Sequence, residues 1–146
     1  MNKITNKTKK FTIDNSVFAK LFLQEQDSDK TTALFCYINE NLCEIIAPEL
    51  LKYELANVVK LKKLDFHYVF SIFKEQEALG MQILEVDDVT LQKAYQIAHK
   101  NNASIYDSIY HAMAILNNSV FITADKEHFD KTSHLGHIEF LQNIII

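Results

Sequence analysis

The sequence predicts an α/β fold, a three-layer α/β/α sandwich around a mostly parallel central sheet. Short apolar runs of strand length alternate along the chain with longer stretches whose apolar residues recur at helical spacing. Strands that alternate with helices are typical of βαβ units, whose parallel strands are covered by helices on both faces. The composition is sufficient for a packed core, because 48% of the 146 residues are apolar and 23% are charged.

The composition also indicates how the chain is organised. Two glycines and one proline leave no flexible linker, and we expect a single domain over residues 1–146. The apolar runs are too short for a membrane span and the basic start leads into no apolar signal-type segment, so we expect a cytoplasmic protein. Cys36 and Cys43 are too few for a disulfide framework, and we expect both to be reduced thiols in the core.

The first half of the chain predicts two strands and four helices. In order, these are a strand at 11–14, helices at 16–23 and about 30–41, a strand at 43–47, and helices at 48–63 and 66–79. Pro48 opens the third helix because proline suits a first helical turn. The fourth helix places phenylalanines such as Phe70 and Phe73 at helical spacing, toward a core or an oligomer face, and Gly80 ends it.

The second half of the chain predicts three strands and three helices. They are a strand at 82–86, a helix after residue 87, a helix at 106–116, a strand at 120–123, a short helix near 126–129 and a strand at 138–141. Asp87 caps the first of these helices, and its apolar stripe is predicted at Leu91, Ala94, Tyr95 and Ala98.

Three aspartates stand where these elements meet. Asp14 ends the first strand and Asp125 follows the strand at 120–123, which places both at the carboxyl edge where open α/β sheets have their sites. Asp107 lies in the first turn of the preceding helix. Each position also has a structural explanation, because Asp14 and Asp125 fit helix N-caps, and Ser104 with Asp107 fits a capping box. Taken singly, these positions favour capping over catalysis.

Glu54 is harder to explain by structure alone. It lies with Leu51, Leu55 and Val58 on the apolar stripe of the third helix, and Asn57 faces nearly the same way. A buried carboxylate without a partner is costly, and the usual remedies are a paired cation or a metal ion. All 15 basic residues are lysines, so no arginine is present to pair with it, and a metal ion is the better hypothesis.

Acids gathered at one edge of a sheet suit a hard divalent cation. Mg²⁺ and Mn²⁺ prefer oxygen ligands, and such a site can activate water and stabilise the charge that develops on a phosphoryl group. The acids Asp14, Glu54, Asp107 and Asp125 therefore predict metal-dependent hydrolysis of a phosphodiester. The net charge of −4 argues against broad nucleic-acid binding but not against a nucleic-acid enzyme, because bound cations neutralise an acidic site.

Four motifs give the chain a resemblance to a known family. They are "IDNSV" with Asp14, "APELLKYELANVV" with Glu54 and Asn57, "YDSIYHAMA" with Asp107, and "FITAD" with Asp125. Over about residues 11–142 the chain resembles a PIN domain, and within that family the small VapC-type toxin ribonucleases. The resemblance implies an endoribonuclease that depends on Mg²⁺ or Mn²⁺, with all four acids as catalytic residues and metal ligands. It also implies a cognate antitoxin that occludes the site.

The chain departs from the family pattern at a few points. Asn15 follows Asp14 where the family usually has a smaller residue, Ser108 replaces the usual alanine, and arginine is absent. These departures concern the choice of substrate more than the binding of a metal ion. Without arginine, any phosphate contact from a cationic side chain falls to lysine, although solvated surface is the plainer role of both lysine clusters. The clusters are Lys3, Lys7, Lys9 and Lys10, and Lys60, Lys62 and Lys63.

Three further expectations concern surfaces and partners. His111 lies near the acidic helix start, and we expect it in a polar surface position. The helices between residues 48 and 79 are expected to supply a homodimer face and a groove for an antitoxin helix. The alternative to an enzyme is a catalytically silent PIN-like module that binds RNA or a protein partner. The complete set of acids favours the enzyme.

Overall fold

Within residues 9–145, which the computed structural model describes, five parallel strands form one sheet with helices on both faces. In chain order the strands are β1 (Lys9–Ile13), β2 (Cys43–Pro48), β3 (Gln82–Leu84), β4 (Val120–Thr123) and β5 (Ile138–Phe140). The α-helices are α1 (Asn15–Phe18), α2 (Ser28–Asn39), α3 (Leu50–Lys62), α4 (Phe66–Ala78), α5 (Asp88–Asn101), α6 (Ile105–Leu116) and α7 (Lys126–Thr132).

Both faces of the sheet are buried, as a three-layer fold requires. Successive residues of a strand point to opposite faces, yet Thr12 and Ile13 of β1 are fully buried, and so are Phe121 and Ile122 of β4. Helix α6 packs against β1, β2 and β4. The predicted α/β/α sandwich is therefore confirmed, and every described strand pair in its sheet is parallel.

The order of the strands determines where a site can form. The order is β3-β2-β1-β4-β5, so the chain runs outward from β1 to β3 and then returns to β4 on the other side of β1. This reversal leaves a crevice beyond the carboxyl ends of β1 and β4, where Ile13 pairs with Ile122. Asp14 follows β1 directly, and Asp125 follows β4 after one intervening residue, so the topology brings both to the same edge.

Aromatic side chains fill the core between α1, α2 and α4. The ring of Phe18 lies 5.6 Å from the rings of both Phe35 and Phe73. Val69 and Phe73 of α4 are fully buried, as the predicted spacing requires, whereas Phe66 at the start of α4 is 49% exposed. Full burial of a side chain such as Phe73 stabilises a fold by about 1.5–3 kcal/mol, so α4 is anchored mainly through its middle.

The sequence predicts that Pro48 begins a helix, and this prediction is wrong. In the structure Pro48 is the last residue of β2. It pairs with Leu84 of β3, and the next residue, Glu49, still donates a backbone hydrogen bond to the Leu84 carbonyl at 3.0 Å. Proline is tolerated here because the pairing of β2 with β1 ends at Ile46, so that only β3 pairs with the strand at Pro48. Helix α3 therefore begins at Leu50.

The buried stripe of α5 is also different from the prediction. Its buried residues are Thr90, Ala94 and Ile97, whereas Leu91 and Tyr95 are 46% and 61% exposed. Helix α5 packs on α6, where Ala94 and Ile97 meet small and medium-sized side chains. Close approach of the two helices selects the face with the small residue, and the larger side chains remain outside.

Two side chains, Cys36 and His111, differ from the prediction in whether they are buried or exposed. Cys43 is buried as expected, but Cys36 is exposed on α2. His111 was expected at the surface and is fully buried, with its Nε2 2.8 Å from the carbonyl oxygen of Gly136. That carbonyl satisfies one ring nitrogen, which lowers the cost of burying the ring.

The predicted lysine clusters have ordinary surroundings where the structure describes them. Lys3 and Lys7 lie outside the described residues, and Lys9 and Lys10 begin β1. The second cluster is at the carboxyl end of α3, a position that favours cations through the helix dipole.

None of the helices within residues 9–145 has the length and apolar character that a membrane crossing requires.

Candidate active site

The structure brings the predicted acids together around one cavity of about 200 Å³. Its lining consists of Asp14, Asn15, Ser16, Glu54, Asp107 and Asp125. The acids come from four separate elements, namely the N-cap of α1, the middle of α3, the first turn of α6 and the N-cap of α7. The cavity, named the acid cavity below, lies at the crevice beyond β1 and β4.

Asp14 is the most buried of these acids. Its exposure is 4%, and its carboxylate accepts a hydrogen bond from the backbone N–H of Val17 at 3.1 Å. The hydroxyls of Ser16 and Thr123 donate to it at 2.5 and 2.7 Å. Burial raises the pKa of Asp14 to about 6 although these bonds favour the charged form, and Glu54 adds a smaller increase. Asp14 therefore caps α1 and also belongs to the acid cavity.

Two hydroxyls connect the ends of β1 and β4. The Ser16 hydroxyl accepts a hydrogen bond from a backbone N–H in the turn before α7 at 2.9 Å. The Thr123 hydroxyl donates to Asp14 and accepts from the backbone N–H of Asp125 at 3.0 Å. Asp125 in turn caps α7 by accepting from the His128 N–H at 3.2 Å. Neither hydroxyl is among the predicted site residues, although each stands two positions from an acid.

Glu54 has a partner that the sequence did not indicate. Its carboxylate accepts a hydrogen bond from the hydroxyl of Tyr110, a fully buried residue of α6. Burial raises the pKa of Glu54, the Tyr110 hydroxyl opposes that rise, and Asp107 adds to it. Burial also raises the pKa of Tyr110, so its hydroxyl remains a donor. Tyr110 stands three positions after Asp107, so helical spacing on α6 was the signal that could have found it.

Capping does not account for Asp107. Its backbone N–H donates to the Ser104 hydroxyl at 3.2 Å, which confirms Ser104 as the N-cap of α6. Within the described residues its carboxylate accepts no hydrogen bond, so the reciprocal half of a capping box is not formed. Burial, followed by the charges of Asp14 and Asp125, raises the pKa of Asp107 to about 6. Asp107 thus faces other acids without a donor of its own.

The acid cavity fits a hard divalent cation with its water shell. Within residues 9–145, no three histidine, cysteine or acidic side chains stand close enough to hold an ion directly. Mg²⁺ usually keeps several waters and takes one or two carboxylates, and about 200 Å³ leaves room for such a hydrated ion. An ion would also favour the charged forms of Asp14 and Asp107, whose pKa values burial has raised.

A second cavity, of about 190 Å³, adjoins the acid cavity on the α7 side. It is lined by Asp107 and Asp125 together with Glu127 and Lys131, which the sequence did not single out. Lys131 pairs with Glu127 at 3.0 Å and donates to a backbone carbonyl at 2.8 Å. This lysine therefore lies beside the acids and lowers the pKa of Asp107.

Two buried histidines are associated with this second cavity, because His128 lines it and His111 packs against His128. The rings of His111 and His128 are 5.8 Å apart. Burial lowers the pKa of both, that of His128 to about 4. Both rings are consequently neutral near neutral pH and add no positive charge to the acid cavity.

A third cavity, of about 280 Å³, adjoins the acids on the α3 side. It shares Asn15 and Glu54 with the acid cavity and extends past Asn57 to Tyr53 and Tyr106. Asn57 is exposed and lines this neighbouring cavity, in agreement with the prediction that it faces nearly the same way as Glu54.

One family accounts for most of the sequence. A family profile of the PIN domain matches residues 11–135. The chain belongs to the PIN domain family. The match includes all the acids of the acid cavity, all of β4 and the last three residues of β1. No curated protein matches the sequence.

Three solved structures share the fold of this PIN domain. A toxin–antitoxin complex from Klebsiella pneumoniae matches with a TM-score of 0.68 at 13% identity, over 91% of this chain and 98% of that chain. FitAcB from Neisseria gonorrhoeae matches with 0.67 at 17%, over 92% and 99%. VapBC2 from Rickettsia felis, bound to a promoter DNA fragment, matches with 0.66 at 12%, over 90% and 98%. At these identities the likeness concerns the fold.

Proposed function

We propose that this PIN domain is a divalent-metal-dependent endoribonuclease of the VapC type, the toxin of a toxin–antitoxin pair. The observation that carries the proposal is the convergence of acids from four elements on one cavity. Helix capping accounts for Asp14 and Asp125 but for neither Glu54 nor Asp107. Membership of the PIN family supports the nuclease class, and the toxin–antitoxin structures with the same fold support the toxin branch.

The proposed cofactor is Mg²⁺ or Mn²⁺, held by Asp14, Glu54, Asp107 and Asp125. When bound, such an ion polarises a phosphoryl oxygen and lowers the pKa of water. Asp14 is oriented by three hydrogen bonds and Glu54 by the Tyr110 hydroxyl, so these two carboxylates are fixed in advance. Asp107 carries no such bond, which leaves its oxygens free to bind an ion or to accept a proton.

The second candidate is a catalytically silent module that binds RNA or a protein partner. The observation in its favour is that protein donors already satisfy Asp14 and Glu54, so the cavity does not depend on an ion for its shape. The absence of arginine also removes the side chain best suited to grip phosphates. An RNA cleavage assay separates the two candidates.

The proposed activity predicts RNA cleavage that requires the acids. Purified protein should cleave single-stranded RNA in Mg²⁺ or Mn²⁺ and stop when EDTA is added. Asp14→Asn should lower the cleavage rate by at least about 100-fold, because loss of a residue that only supports a metal ligand already costs about 10–100-fold. The fold should survive, since asparagine is also a good N-cap. Gel analysis of labelled RNA measures the rate, and circular dichroism checks the fold.

The matched control for this experiment is Asp87→Asn. Asp87 caps α5 by accepting a hydrogen bond from the Thr90 N–H at 2.8 Å, as Asp14 caps α1, but it does not line the acid cavity. This variant should cleave RNA at the wild-type rate. Undiminished cleavage by Asp14→Asn would remove the acids from the mechanism. Wild-type protein that binds RNA without cutting it would favour the silent module.

We further propose RNA as the substrate, a cognate antitoxin as the partner, a homodimer as the assembly and the cytoplasm as the location. The dimer and antitoxin surfaces are proposed on α3 and α4, where Leu61, Phe66 and Tyr68 are 69%, 49% and 59% exposed. Light scattering tests the assembly, and a strictly monomeric protein at roughly tens of micromolar would count against the dimer.

A further inference from the structure

The cavity on the α3 side of the acids has an aromatic lining that the proposed chemistry does not use. Tyr53 of α3 and Tyr106 of α6 line it and are 63% and 59% exposed. Its volume is about 280 Å³, and among the described residues Glu54 is the one charged residue in its lining. We name it the tyrosine cavity. Two exposed aromatic rings beside a candidate phosphodiesterase site indicate a surface for a flat ligand rather than for a phosphate.

We propose that the tyrosine cavity binds the unpaired nucleotide that adjoins the phosphate to be cut. This proposal rests on the proposed nuclease function. Unpaired bases stack on aromatic side chains whatever the identity of the base, and this is a common way in which proteins hold single-stranded RNA. Because none of the lysines within residues 9–145 lines the cavity and a carboxylate stands at its edge, the cavity favours the base and not the phosphate. The exposed amide of Asn57 offers donors and an acceptor to the edge of that base.

Asn15 lies at the junction, since it lines both the acid cavity and the tyrosine cavity. A nucleotide whose phosphate meets the acids and whose base meets the tyrosines has its ribose at this junction. The Oδ1 atom of Asn15 is buried and has no hydrogen-bond partner in the part of the chain that the structure describes, so turning the amide toward the ribose breaks no bond at that oxygen. The 2′-hydroxyl is the donor that distinguishes RNA from DNA. The geometry thus assigns to Asn15 the preference for ribose.

The test measures binding separately from cleavage. A fluorescein-labelled, mixed-sequence single-stranded RNA of about twelve nucleotides, a length comparable to common single-strand sites, is titrated with protein by fluorescence anisotropy in Mg²⁺. All proteins carry Asp107→Asn, which lowers the charge of the acid cavity and is expected to prevent cleavage. Adding Tyr53→Ala or Tyr106→Ala should raise Kd by about 5- to 150-fold, the usual loss for one stacked base. Adding Tyr53→Phe or Tyr106→Phe should leave Kd within about twofold, because the ring remains.

Tyr95→Ala is the matched control. Tyr95 is 61% exposed, close to the exposure of Tyr53 and Tyr106, but it lies on α5 and does not line the tyrosine cavity. Its Kd should equal that of the Asp107→Asn protein. The DNA oligonucleotide of the same sequence tests Asn15, because Asn15→Ala should weaken RNA binding by about 2- to 10-fold and leave DNA binding unchanged. The RNA preference should shrink by that factor.

Several outcomes would overturn the subsite. These are alanine variants at Tyr53 and Tyr106 that bind RNA as tightly as Tyr95→Ala, an Asn15→Ala variant that keeps the full RNA preference, or an Asp107→Asn protein that binds no RNA. Loss of binding in the tyrosine variants, with no cleavage by the wild type, would support the subsite while refuting the nuclease. Cleavage by the wild type, with a KM that stays unchanged when Tyr53→Ala or Tyr106→Ala is introduced without Asp107→Asn, would support the nuclease and refute the subsite.

Discussion

Asp14 accepts hydrogen bonds on both carboxylate oxygens and nevertheless has a raised pKa. Burial is the largest cause, ahead of the charge of Glu54. The same order holds for Asp107, where burial comes before the charges of Asp14 and Asp125. The walls of the cavity therefore disfavour ionisation more than the crowding of carboxylates does. A divalent cation would oppose both effects, because it interacts with the charged forms only.

Asp107→Asn should raise the melting temperature in EDTA near neutral pH. The folded pKa of Asp107 is about 6 against an ordinary value of 3.8, so ionisation destabilises the fold as pH rises through that window. The amide keeps the shape of the side chain and removes the charge. In Mg²⁺ the difference between the melting temperatures of the variant and the wild type should shrink or change sign, because the wild-type site gains more stability from binding the ion. Paired thermal melts with EDTA and with Mg²⁺ measure both effects.

Asp88→Asn is the control for this prediction. Asp88 lies in the first turn of α5, as Asp107 lies in the first turn of α6, but Asp88 is exposed and lies outside the acid cavity. Its loss should lower stability slightly and equally with EDTA and Mg²⁺, through the helix dipole alone. If Asp107→Asn behaves like Asp88→Asn in both buffers, Asp107 is only a helix-start acid and does not belong to the site.

At the scale of elements, predictions succeed where the determining signal is local. Helix α6 runs over Ile105–Leu116 and was predicted at 106–116, because its cap, Ser104, and its apolar spacing are contained in the segment itself. Pro48 and the stripe of α5 were mispredicted because partners elsewhere decide them. A backbone bond to β3 keeps Pro48 at the end of its strand, and close packing on α6 selects the face of α5 with Ala94.

The same distinction applies to the candidate site. The acids were predictable because strand ends and helix starts are visible in the sequence, and a parallel sheet collects its strand ends at one edge. The hydroxyls that orient them were not, since Thr123 stands 109 positions from Asp14 and Tyr110 stands 56 positions from Glu54. The burial of His111 depends on a carbonyl 25 positions away. Spacing along the chain places Tyr110 on the same face of α6 as Asp107, but it does not show that Tyr110 meets Glu54, or that Thr123 meets Asp14.

The bond between α6 and α3 predicts that Tyr110→Phe destabilises the protein. The phenylalanine keeps the stacking on Phe121, whose ring lies 5.8 Å away, and removes only the donor to Glu54. Glu54 is half-buried and its pKa is raised, so loss of that donor should lower the free energy of unfolding by about 1 kcal/mol. In a Glu54→Met background the same substitution should cost much less, which gives a coupling of about 1 kcal/mol. Urea unfolding of the four proteins measures the cycle.

Tyr53→Phe is the control, because Tyr53 also donates to a glutamate, Glu49, at 3.2 Å, but at the exposed surface. This substitution should leave stability unchanged, since water replaces the lost partner. Equal effects of the two tyrosine substitutions, or no coupling between Tyr110 and Glu54, would mean that the buried bond does not connect the helices energetically.

For the whole molecule, two groups of buried side chains titrate with opposite effects on stability. The folded pKa values of Asp14 and Asp107 are raised to about 6. The stability that these acids contribute to the fold is therefore present below about pH 4 and is lost as pH rises through about 6. The folded pKa values of His111 and His128 are lowered, that of His128 to about 4. The stability that these neutral rings contribute to the fold is therefore lost as pH falls from 6.5 toward 4. Between about pH 4 and 6.5 the two trends oppose each other, and stability alone does not isolate the acids.

The stabilisation by Mg²⁺ does isolate them, and it should rise with pH. Below about pH 6, protons occupy Asp14 and Asp107 and compete with the ion, whereas at higher pH the charged carboxylates bind it. The difference between the melting temperatures in Mg²⁺ and in EDTA cancels the histidines, because both buffers titrate them alike. That difference should grow from near zero at about pH 5 to roughly 5–10 °C at about pH 8, if Mg²⁺ is 100-fold above its Kd. A protein with both Asp14→Asn and Asp107→Asn should show a small difference at every pH. A Mg²⁺ effect of equal size at both ends of this range would place the ion outside the acid cavity.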